Sequence, residues 1–314
     1  MAEKDWIARY LAPLAQGAGA AGLRDDVAQL GVSDPVAITT DAMVEGVHFL
    51  GTDPVDTVAR KLVRTNVSDL LASGAEPAEA LLVLGWPKRR GEAEIAAFAA
   101  ALGDELAAWG AQLIGGDTVT SPGGLFLSLT LTGRCLNAGP VRRTGAKAGD
   151  CVWLTGTIGA AARAWQDHSR GIPSPFPGTS GDDAYRLPVL PPLATAKLVA
   201  GHASAAMDVS DGLLIDAKAL AEASGVALEI DLDAVTFAGG ETELGEMLEL
   251  ATWGDDYQTL FAAPENNSKL ISREAQNSGI EIACIGKIVA GSGLSLERGG
   301  RNVNLPETLG FEHG

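Results

Sequence analysis

Apolar residues along this chain recur in two spacings, one typical of helices and the other of strands. A return every three or four positions predicts a helix, and a short run or an alternation predicts a strand. The helical spacing covers residues 5–16, 56–74 and 92–110. Strands are predicted at the start of 36–50 and over 79–86, 111–119 and 125–135. Residues 148–165 predict a strand, a glycine turn and a helix, and a similar alternation continues to the end.

This order of elements predicts an α+β protein with two domains. At 314 residues the chain is long enough for each half to bury its own core. The polar, glycine-rich stretch 142–150 is the best boundary between the halves. A second stretch rich in proline and glycine, 171–183, predicts a mobile loop in the second half.

The chain is acidic, with 40 Asp and Glu residues against 23 Lys and Arg residues and a formal charge of −17. Such a surface repels phosphate backbones, so nucleic-acid binding is disfavoured. A protein of this charge needs metal ions or a local basic cluster to bind an anionic substrate. Arg142, Arg143 and Lys147 form such a cluster, which is either a solvated linker or a clamp on phosphate oxygens.

Three cysteines, Cys135, Cys151 and Cys284, lie far apart in the sequence and form no CxxC pair. They predict free, buried thiols in a reducing compartment. The opening stretch MAEKDWIARYLAPLAQ carries charges and lacks an apolar core run, so no signal peptide is expected. The longer apolar stretches are broken before the roughly 18 residues of a membrane span. We therefore expect a soluble cytoplasmic protein.

Aspartates recur beside the apolar strand-like runs, and the run in AITTD is predicted to end at Asp41. They occur in LRDDVA (Asp25, Asp26), AITTD (Asp41), NVSDLL (Asp69), LIGGDT (Asp117), MDVSD (Asp208, Asp211) and GDDY (Asp255, Asp256). Each one alone is most simply a turn residue or a helix cap. Together with the hydroxyls of Thr39 and Thr40, they are also the oxygen ligands that Mg²⁺ prefers. From the residues alone, both interpretations remain open.

Some of these positions fit the simpler interpretation poorly. Asp69 lies in a mostly apolar helical pattern, where an unpaired carboxylate is costly to bury. The two glycines before Asp117 indicate that something approaches the backbone closely. In AMDVSDGLL, Asp211 is a candidate N-cap for the helix that follows, which leaves Asp208 unexplained.

Several common kinds of site lack their sequence motifs. The chain has no GxxxxGK[ST] phosphate loop and no GxSxG nucleophile elbow. Its four histidines show no zinc-ligand spacing. His48 lies beside an apolar pair in VEGVHFL, which favours a core or hydrogen-bonded histidine.

The acidic motifs occur together with several others in one order. That order is LRDDVA, ITTDAMVEGVHF, NVSDLLASGAEP, LIGGDT, RRTGAKAGD, LTGTIGAA, MDVSDGLLIDA, GDDYQTLFA and CIGKI. The ordered set resembles the thiamine-monophosphate kinases, from about residue 20 to the GFEH tail. The wider superfamily includes aminoimidazole-ribonucleotide synthetase, selenophosphate synthetase and a hydrogenase maturation factor. Selenophosphate synthetase uses a cysteine or selenocysteine near its N-terminus, whereas the first cysteine here is Cys135.

The resemblance implies an ATP-dependent kinase that converts thiamine monophosphate to thiamine diphosphate by direct in-line, Mg²⁺-assisted transfer. It implies the two-domain α+β fold of aminoimidazole-ribonucleotide synthetase. Residues 1–146 would bind ATP and Mg²⁺ and form the dimer interface, and residues 147–314 would complete the active site. The N-terminal domains of a homodimer would pair into a β-barrel.

The resemblance also implies roles for individual residues. The metal ligands would be Asp26, Thr39, Thr40, Asp41, Asp69, Asp117, Asp208 and Asp211. The nucleotide contacts would be Thr40, Gly116, Asp117, Arg143 and Ser210, with Asp117 and Arg143 the catalytic residues. The substrate contacts would be His48, Asp255 and Phe311. For His48, the resemblance replaces the simpler interpretation.

Two departures from the family pattern stand out. Arg24 occupies a position that is usually glycine before the acidic pair, and WGDDYQ at 253–258 replaces the usual Gly-Gly-Glu-Asp-Tyr-Glu. Two other functions remain as alternatives. One is a superfamily enzyme with another acceptor, such as a formyl-amidine or a selenide. The other is a non-catalytic nucleotide-binding protein on the same fold.

Overall fold

The computed structural model describes residues 7–16, 35–169, 184–240 and 243–311. These residues form two compact units, the first made of 7–16, 35–70 and 76–135 and the second of the remaining described residues. The helix predicted over 5–16 is found as two short helical turns, Ile7–Leu11 and Ala12–Leu14. Residues 5 and 6 and the predicted loop 171–183 lie outside the described residues.

The first unit is a four-stranded sheet with two long helices. Its elements are β1 (Val36–Val44), α1 (Val55–Ala72), β2 (Ala75–Pro87), α2 (Glu92–Ala108), β3 (Gln112–Ser121) and β4 (Phe126–Cys135). The strand order is β1-β4-β2-β3, with β1 antiparallel to β4 and β2 parallel to β3. Both predicted helices are confirmed to within two residues, because their long apolar faces leave little choice of element.

One face of this sheet is covered and the other is exposed. Phe98 of α2 meets Trp86 of β2 edge-on, with ring centroids 5.8 Å apart. Along β1, Ala37 and Met43 are buried, whereas alternate positions point to the opposite face. That face carries the exposed apolar side chains Ile38, Val44, Leu81 and Phe126. An apolar sheet face of this kind is typical of an interaction surface.

A buried carboxylate joins α1 to α2. Glu105 accepts hydrogen bonds from Arg64 Nε at 2.6 Å, Arg60 Nη1 at 3.0 Å and Trp109 Nε1 at 3.1 Å. Burial by itself raises the pKa of Glu105, but these donors hold it below its usual range. Hydrogen bonds to this one carboxylate therefore join the two helices, and the arginines balance its negative charge.

The second unit is a seven-stranded sheet with helices on both faces. Its elements are β5 (Asp150–Thr155), α3 (Ala160–Ser169), α4 (Ala194–His202), β6 (Ala205–Val209), α5 (Leu213–Ser224), β7 (Ala227–Asp231), α6 (Leu244–Ala251), β8 (Gln258–Pro264), α7 (Ser268–Asn277), β9 (Ile282–Val289), β10 (Gly293–Arg298) and β11 (Arg301–Val303). The strand order is β11-β10-β7-β9-β5-β8-β6. One core contains α5 and α6 side chains and the other contains α4 and α7 side chains.

The structure corrects one prediction about the cysteines. Cys135 is buried and Cys151 is half-buried, but Cys284 is exposed, and all three are free thiols. Although far apart in sequence, Cys151 and Cys284 lie on the paired strands β5 and β9.

Within the described ranges, no helix combines the length and apolarity needed to cross a membrane. Over the part of the chain that the structure describes, neither of the two sheets closes into a barrel.

We expect Glu105→Ala to lower the free energy of unfolding by about 3 kcal/mol, because it leaves two partly buried arginines without their carboxylate. Urea denaturation of the purified variant measures this loss. Asp104→Ala is the matched control, since Asp104 is 75% exposed and lies 3.7 Å from Arg60. It should change stability by less than about 0.5 kcal/mol. Equal effects of the two substitutions would contradict the role given to Glu105.

Candidate active site

Strand β1 and helix α1 bring two of the predicted carboxylates together. Thr39 Oγ1 donates a hydrogen bond to Asp69 Oδ2 at 2.5 Å. The Asp41 amide donates to Asn66 Oδ1 at 3.2 Å. The sequence indicated that Asp41 ends a strand, but β1 continues to Val44, so the aspartate lies within the strand. Its side chain points toward α1 because alternate positions of β1 share that face.

This pair has unusual electrostatics. Burial raises the pKa of Asp41 from its ordinary 3.8 to about 6, and the negative charge of Asp69 adds to the rise. A hydrogen bond from Thr65 opposes it. Two carboxylates that repel each other beside a threonine hydroxyl form an oxygen-rich donor set, which is the chemistry that Mg²⁺ binds.

Thr40 lies on the opposite side of the strand from Asp41. Its hydroxyl is within 3.0 Å of Thr130 Oγ1 and 3.4 Å of Ser128 Oγ on β4. Consecutive side chains of a strand point to opposite faces. A contact from Thr40 to the same ligand as Asp41 would therefore come from its main chain, and not from its hydroxyl.

Gly116 and Asp117 lie within β3, as the strand predicted over 111–119 indicated. A Cβ at Gly116, where φ is 149°, would lie 1.9 Å from the carbonyl oxygen of Leu82 on β2. The close approach that the two glycines indicated is therefore made by the neighbouring strand. Asp117 is exposed. The strand order places β3 three strands from β1, about 14 Å across the sheet.

His48 belongs to the turn that follows β1. Its Nδ1 accepts a hydrogen bond from the Val44 amide at 3.1 Å. The His48 carbonyl accepts from Lys61 Nζ at 3.3 Å. The ring is half-buried and hydrogen-bonded, as the residue pattern alone suggested.

In the second unit, the predicted residues Asp208, Ser210 and Asp211 lie where β6 leads into α5. Asp208 is buried within β6, and the other two follow it in a short loop. The N-cap prediction for Asp211 is wrong. The helix begins at Leu213, and its N-cap is Gly212, with φ of 128° and no side-chain capping bond.

Asp216 of α5 takes the place of the missing cap. Its Oδ2 accepts hydrogen bonds from the amides of Ser210 and Asp211 at 3.0 Å and of Gly212 at 3.2 Å. Burial raises the pKa of Asp216 to about 7, and the nearby charge of Arg143 opposes the rise. Arg143 itself is exposed.

The segment before β8 has a strained backbone. Asp255 and Tyr257 have φ of 69° and 51°, a region that residues other than glycine rarely adopt. The Tyr257 hydroxyl donates to Asp255 Oδ1 at 2.8 Å. Asp256 is buried and accepts the amides of Gly159 and Ala160 at the start of α3. Strain of this kind is more common at functional sites than elsewhere.

Phe311 is exposed, and its amide donates to the Asp211 carbonyl at 2.9 Å. Among the described residues, no three His, Cys, Asp or Glu side chains are grouped as a metal site. The predicted ligand Asp26, the substituted position Arg24 and the last two residues of GFEH lie outside those residues.

The sequence prediction did not single out Asp216, and it named Asp256 among the acids without giving it a role. Asp216 had a detectable signal, because it lies on the apolar face of a helix between buried Leu214 and Ala217. A carboxylate in such a position needs donors. The role of Asp256 had no comparable signal, because its partners at the start of α3 are 96 and 97 residues away in the sequence.

Comparison with known proteins identifies relatives along nearly the whole chain. Residues 24–135 match the family described as AIR synthase related protein, N-terminal domain, and residues 147–299 match its C-terminal domain. The thiamine-monophosphate kinase of Caulobacter vibrioides is 38% identical over 99% of this chain and 91% of its own length.

Solved structures of related proteins have the same fold. The thiamine-monophosphate kinase from Stenotrophomonas maltophilia K279a superposes with a TM-score of 0.78 at 30% identity, covering 87% of this chain and 89% of that one. AaThiL complexed with AMPPCP and TMP has a TM-score of 0.71 at 26% identity, covering 89% of this chain and 87% of its own.

The raised pKa of Asp41 predicts a pH-dependent loss of stability in the absence of divalent cations. Because the pKa of Asp41 is higher in the folded state, protonation of Asp41 favours folding. This contribution to stability is full below about pH 4 and is lost as the pH rises through 6. Between pH 4.5 and 7.5, we expect the free energy of unfolding of the wild type to fall by about 1–2 kcal/mol relative to that of Asp41→Asn. Partial exposure of Asp41 to solvent keeps this effect small. Urea unfolding in EDTA measures it, with Asp104→Asn as control. Parallel pH curves for wild type and Asp41→Asn would contradict it.

Proposed function

The chain belongs to the thiamine-monophosphate kinase family, and we propose that it phosphorylates thiamine monophosphate to thiamine diphosphate with ATP as donor. The observation that carries this proposal is the 38% identity to such a kinase over 99% of the chain. The related structure of AaThiL with AMPPCP and TMP supports the same pair of substrates. We propose that the enzyme works in the cytoplasm, as part of thiamine diphosphate biosynthesis.

The chemistry follows from the charges of the reactants. An oxygen of the monophosphate is already anionic near pH 7, so it attacks the γ-phosphorus of ATP without a general base. The bond from that phosphorus to the β–γ bridging oxygen breaks, and ADP leaves. The main obstacle is the repulsion between two polyanions, and positioning and charge neutralisation overcome it. We propose direct in-line transfer without a phosphoenzyme.

We propose that the acidic residues bind Mg²⁺, which would share its positive charge with the phosphate oxygens. The mutual repulsion of Asp41 and Asp69 supports this assignment, because a divalent cation between like charges relieves it. The proposed ligands are Asp26, Thr39, Thr40, Asp41, Asp69, Asp117, Asp208 and Asp211. For Thr40 we assign the contact to the main chain, since its hydroxyl lies on the opposite face of β1 from Asp41.

The remaining assignments concern nucleotide and substrate. Thr40, Gly116, Asp117, Arg143 and Ser210 would contact the nucleotide, and His48, Asp255 and Phe311 the thiamine phosphate. Arg143 is exposed, and a planar guanidinium pairs well with phosphate oxygens. We assign ATP and Mg²⁺ binding and dimerisation to residues 1–146, and the rest of the active site to residues 147–314.

We propose that two copies of this chain associate through the exposed apolar face of the first sheet. Val44 and Phe126 are direct cross-strand partners on that face, and Ile38 at 68% exposure lies on the same side of β1. Pairing two such faces into a barrel would bury this apolar surface and remove it from water.

We expect the purified protein to form thiamine diphosphate from ATP and thiamine monophosphate only when Mg²⁺ is present. Asp117→Asn should lower kcat/KM at least about 100-fold, because loss of a metal ligand removes several kcal/mol of charge stabilisation. Product formation is followed by chromatography. Asp117 is exposed, so the variant should fold normally. Asp104→Asn, another exposed acid of the same unit, should keep full activity.

The same assay separates the alternatives. ATP binding without turnover would favour a non-catalytic nucleotide-binding protein. ATP turnover with a formyl-amidine or a selenide, but not with thiamine monophosphate, would favour another superfamily enzyme. Full activity of Asp117→Asn would overturn the assignment of this metal ligand while leaving the reaction itself intact.

We expect wild-type protein to sediment as a dimer and Ile38→Glu to sediment as a monomer, because a charge in the middle of an apolar interface is costly to bury. Analytical ultracentrifugation measures the state. Val189→Glu is the matched control, since Val189 is 66% exposed and belongs to the second unit. A monomeric wild type, or an Ile38→Glu dimer as stable as that of Val189→Glu, would overturn the proposal.

A further inference from the structure

The loop Ser210–Gly212 is held through its main chain from both sides. On the donor side, all three amides point to one oxygen, Asp216 Oδ2, at 3.0–3.2 Å. On the acceptor side, the Ser210 carbonyl accepts the Asp255 amide at 2.8 Å and the Asp211 carbonyl accepts the Phe311 amide at 2.9 Å. The backbone of this loop therefore has its polar groups matched by protein partners.

The segments on the acceptor side pack too closely for the loop to shift toward them. A Cβ at Gly254 would lie 2.5 Å from the Ser210 carbonyl oxygen. One at Gly310 would lie 2.6 Å from the Asp211 carbonyl oxygen. Glycine is required at both positions because any larger residue would displace the loop.

The donor side depends on a single side chain. Asp216 is 5% exposed and lies in the first turn of α5, among the buried residues Leu213, Leu214 and Ala217. Its own position is therefore fixed by the core of the second unit. Because one carboxylate oxygen accepts three consecutive amides, removing it would release Ser210, Asp211 and Gly212 together.

We propose that Asp216 is the positioning residue for Ser210 and Asp211, holding their backbone so that the two side chains face nucleotide and Mg²⁺ in one geometry. This inference rests on the proposed function for the ligands, although the anchoring itself does not. Because the role needs one acceptor oxygen at that place, the amide oxygen of asparagine fulfils it, and alanine does not.

The test compares Asp216→Ala and Asp216→Asn with wild type and with Ile288→Val. Ile288 is a buried core residue of the same unit on β9, so its variant reports a loss of core packing that leaves the loop untouched. The first readout is hydrogen exchange at the amides of Ser210, Asp211 and Gly212, which requires no ligand. The second is calorimetric titration of Mg²⁺ in the presence of a non-hydrolysable ATP analogue.

In Asp216→Ala, we expect the three amides to lose their protection and the half-saturating Mg²⁺ concentration to rise about 10–100-fold, as is usual when a residue supporting a ligand is removed. Asp216→Asn should stay close to wild type in both readouts. Ile288→Val should leave both unchanged.

Three results would overturn the proposal: protected amides in Asp216→Ala, an Asp216→Asn variant as impaired as the alanine variant, or an Mg²⁺ response in Asp216→Ala equal to that of Ile288→Val. If Asp216→Ala does not fold, Asp216→Glu is tested in its place, because the longer side chain moves the carboxylate oxygen by one methylene. Readouts equal to wild type in Asp216→Glu would also overturn the proposal. The proposed function can fail separately. If the wild type phosphorylates no thiamine monophosphate but the variants show the expected hydrogen exchange, only the proposed function is overturned.

Discussion

A carboxylate removed from water must be met by hydrogen-bond donors or by positive charge, and this requirement organises both units. Glu105 satisfies it with two arginines and thereby joins the helices of the first unit. Asp256 satisfies it with the amides at the start of α3, and Asp216 with the amides of Ser210–Gly212. In each case a buried acid fixes one segment against another through hydrogen bonds.

Asp41 and Asp69 present the same requirement in a different form. Their closeness contributes to the raised pKa of Asp41, so ionising Asp41 in the folded protein lowers its stability. A divalent cation would relieve that cost, and it would also provide the positive charge that two phosphate substrates need. In a chain with a formal charge of −17, this combination links the electrostatics of the protein to the chemistry proposed for it.

The sequence predicted the long helices and the α+β class well. For the candidate site, it identified residues but not the elements and contacts that position them. Helix α1 was expected over 56–74 and runs over Val55–Ala72, because eighteen residues of apolar periodicity form a strong local signal. The strand around Asp41 was cut short at its acids. A strand tolerates a carboxylate on one face when a helix opposite supplies a partner, and here Thr65 of α1 gives the Asp41 carboxylate a hydrogen bond. For Gly116, the glycine signal was right but its cause was the adjacent strand, which only the sheet register reveals.

By itself, the sequence determined the class of fold, the candidate residues and, through the order of its short motifs, the family. These properties depend on local spacing and on residue type, both of which can be read from the chain directly. Only the tertiary structure decided which side of β1 presents Asp41 and which presents Thr40, that Gly212 and not Asp211 caps α5, and that Asp216 anchors the loop before it. Each of these depends on contacts between elements, because a side chain's partners are set by packing and not by its neighbours in sequence.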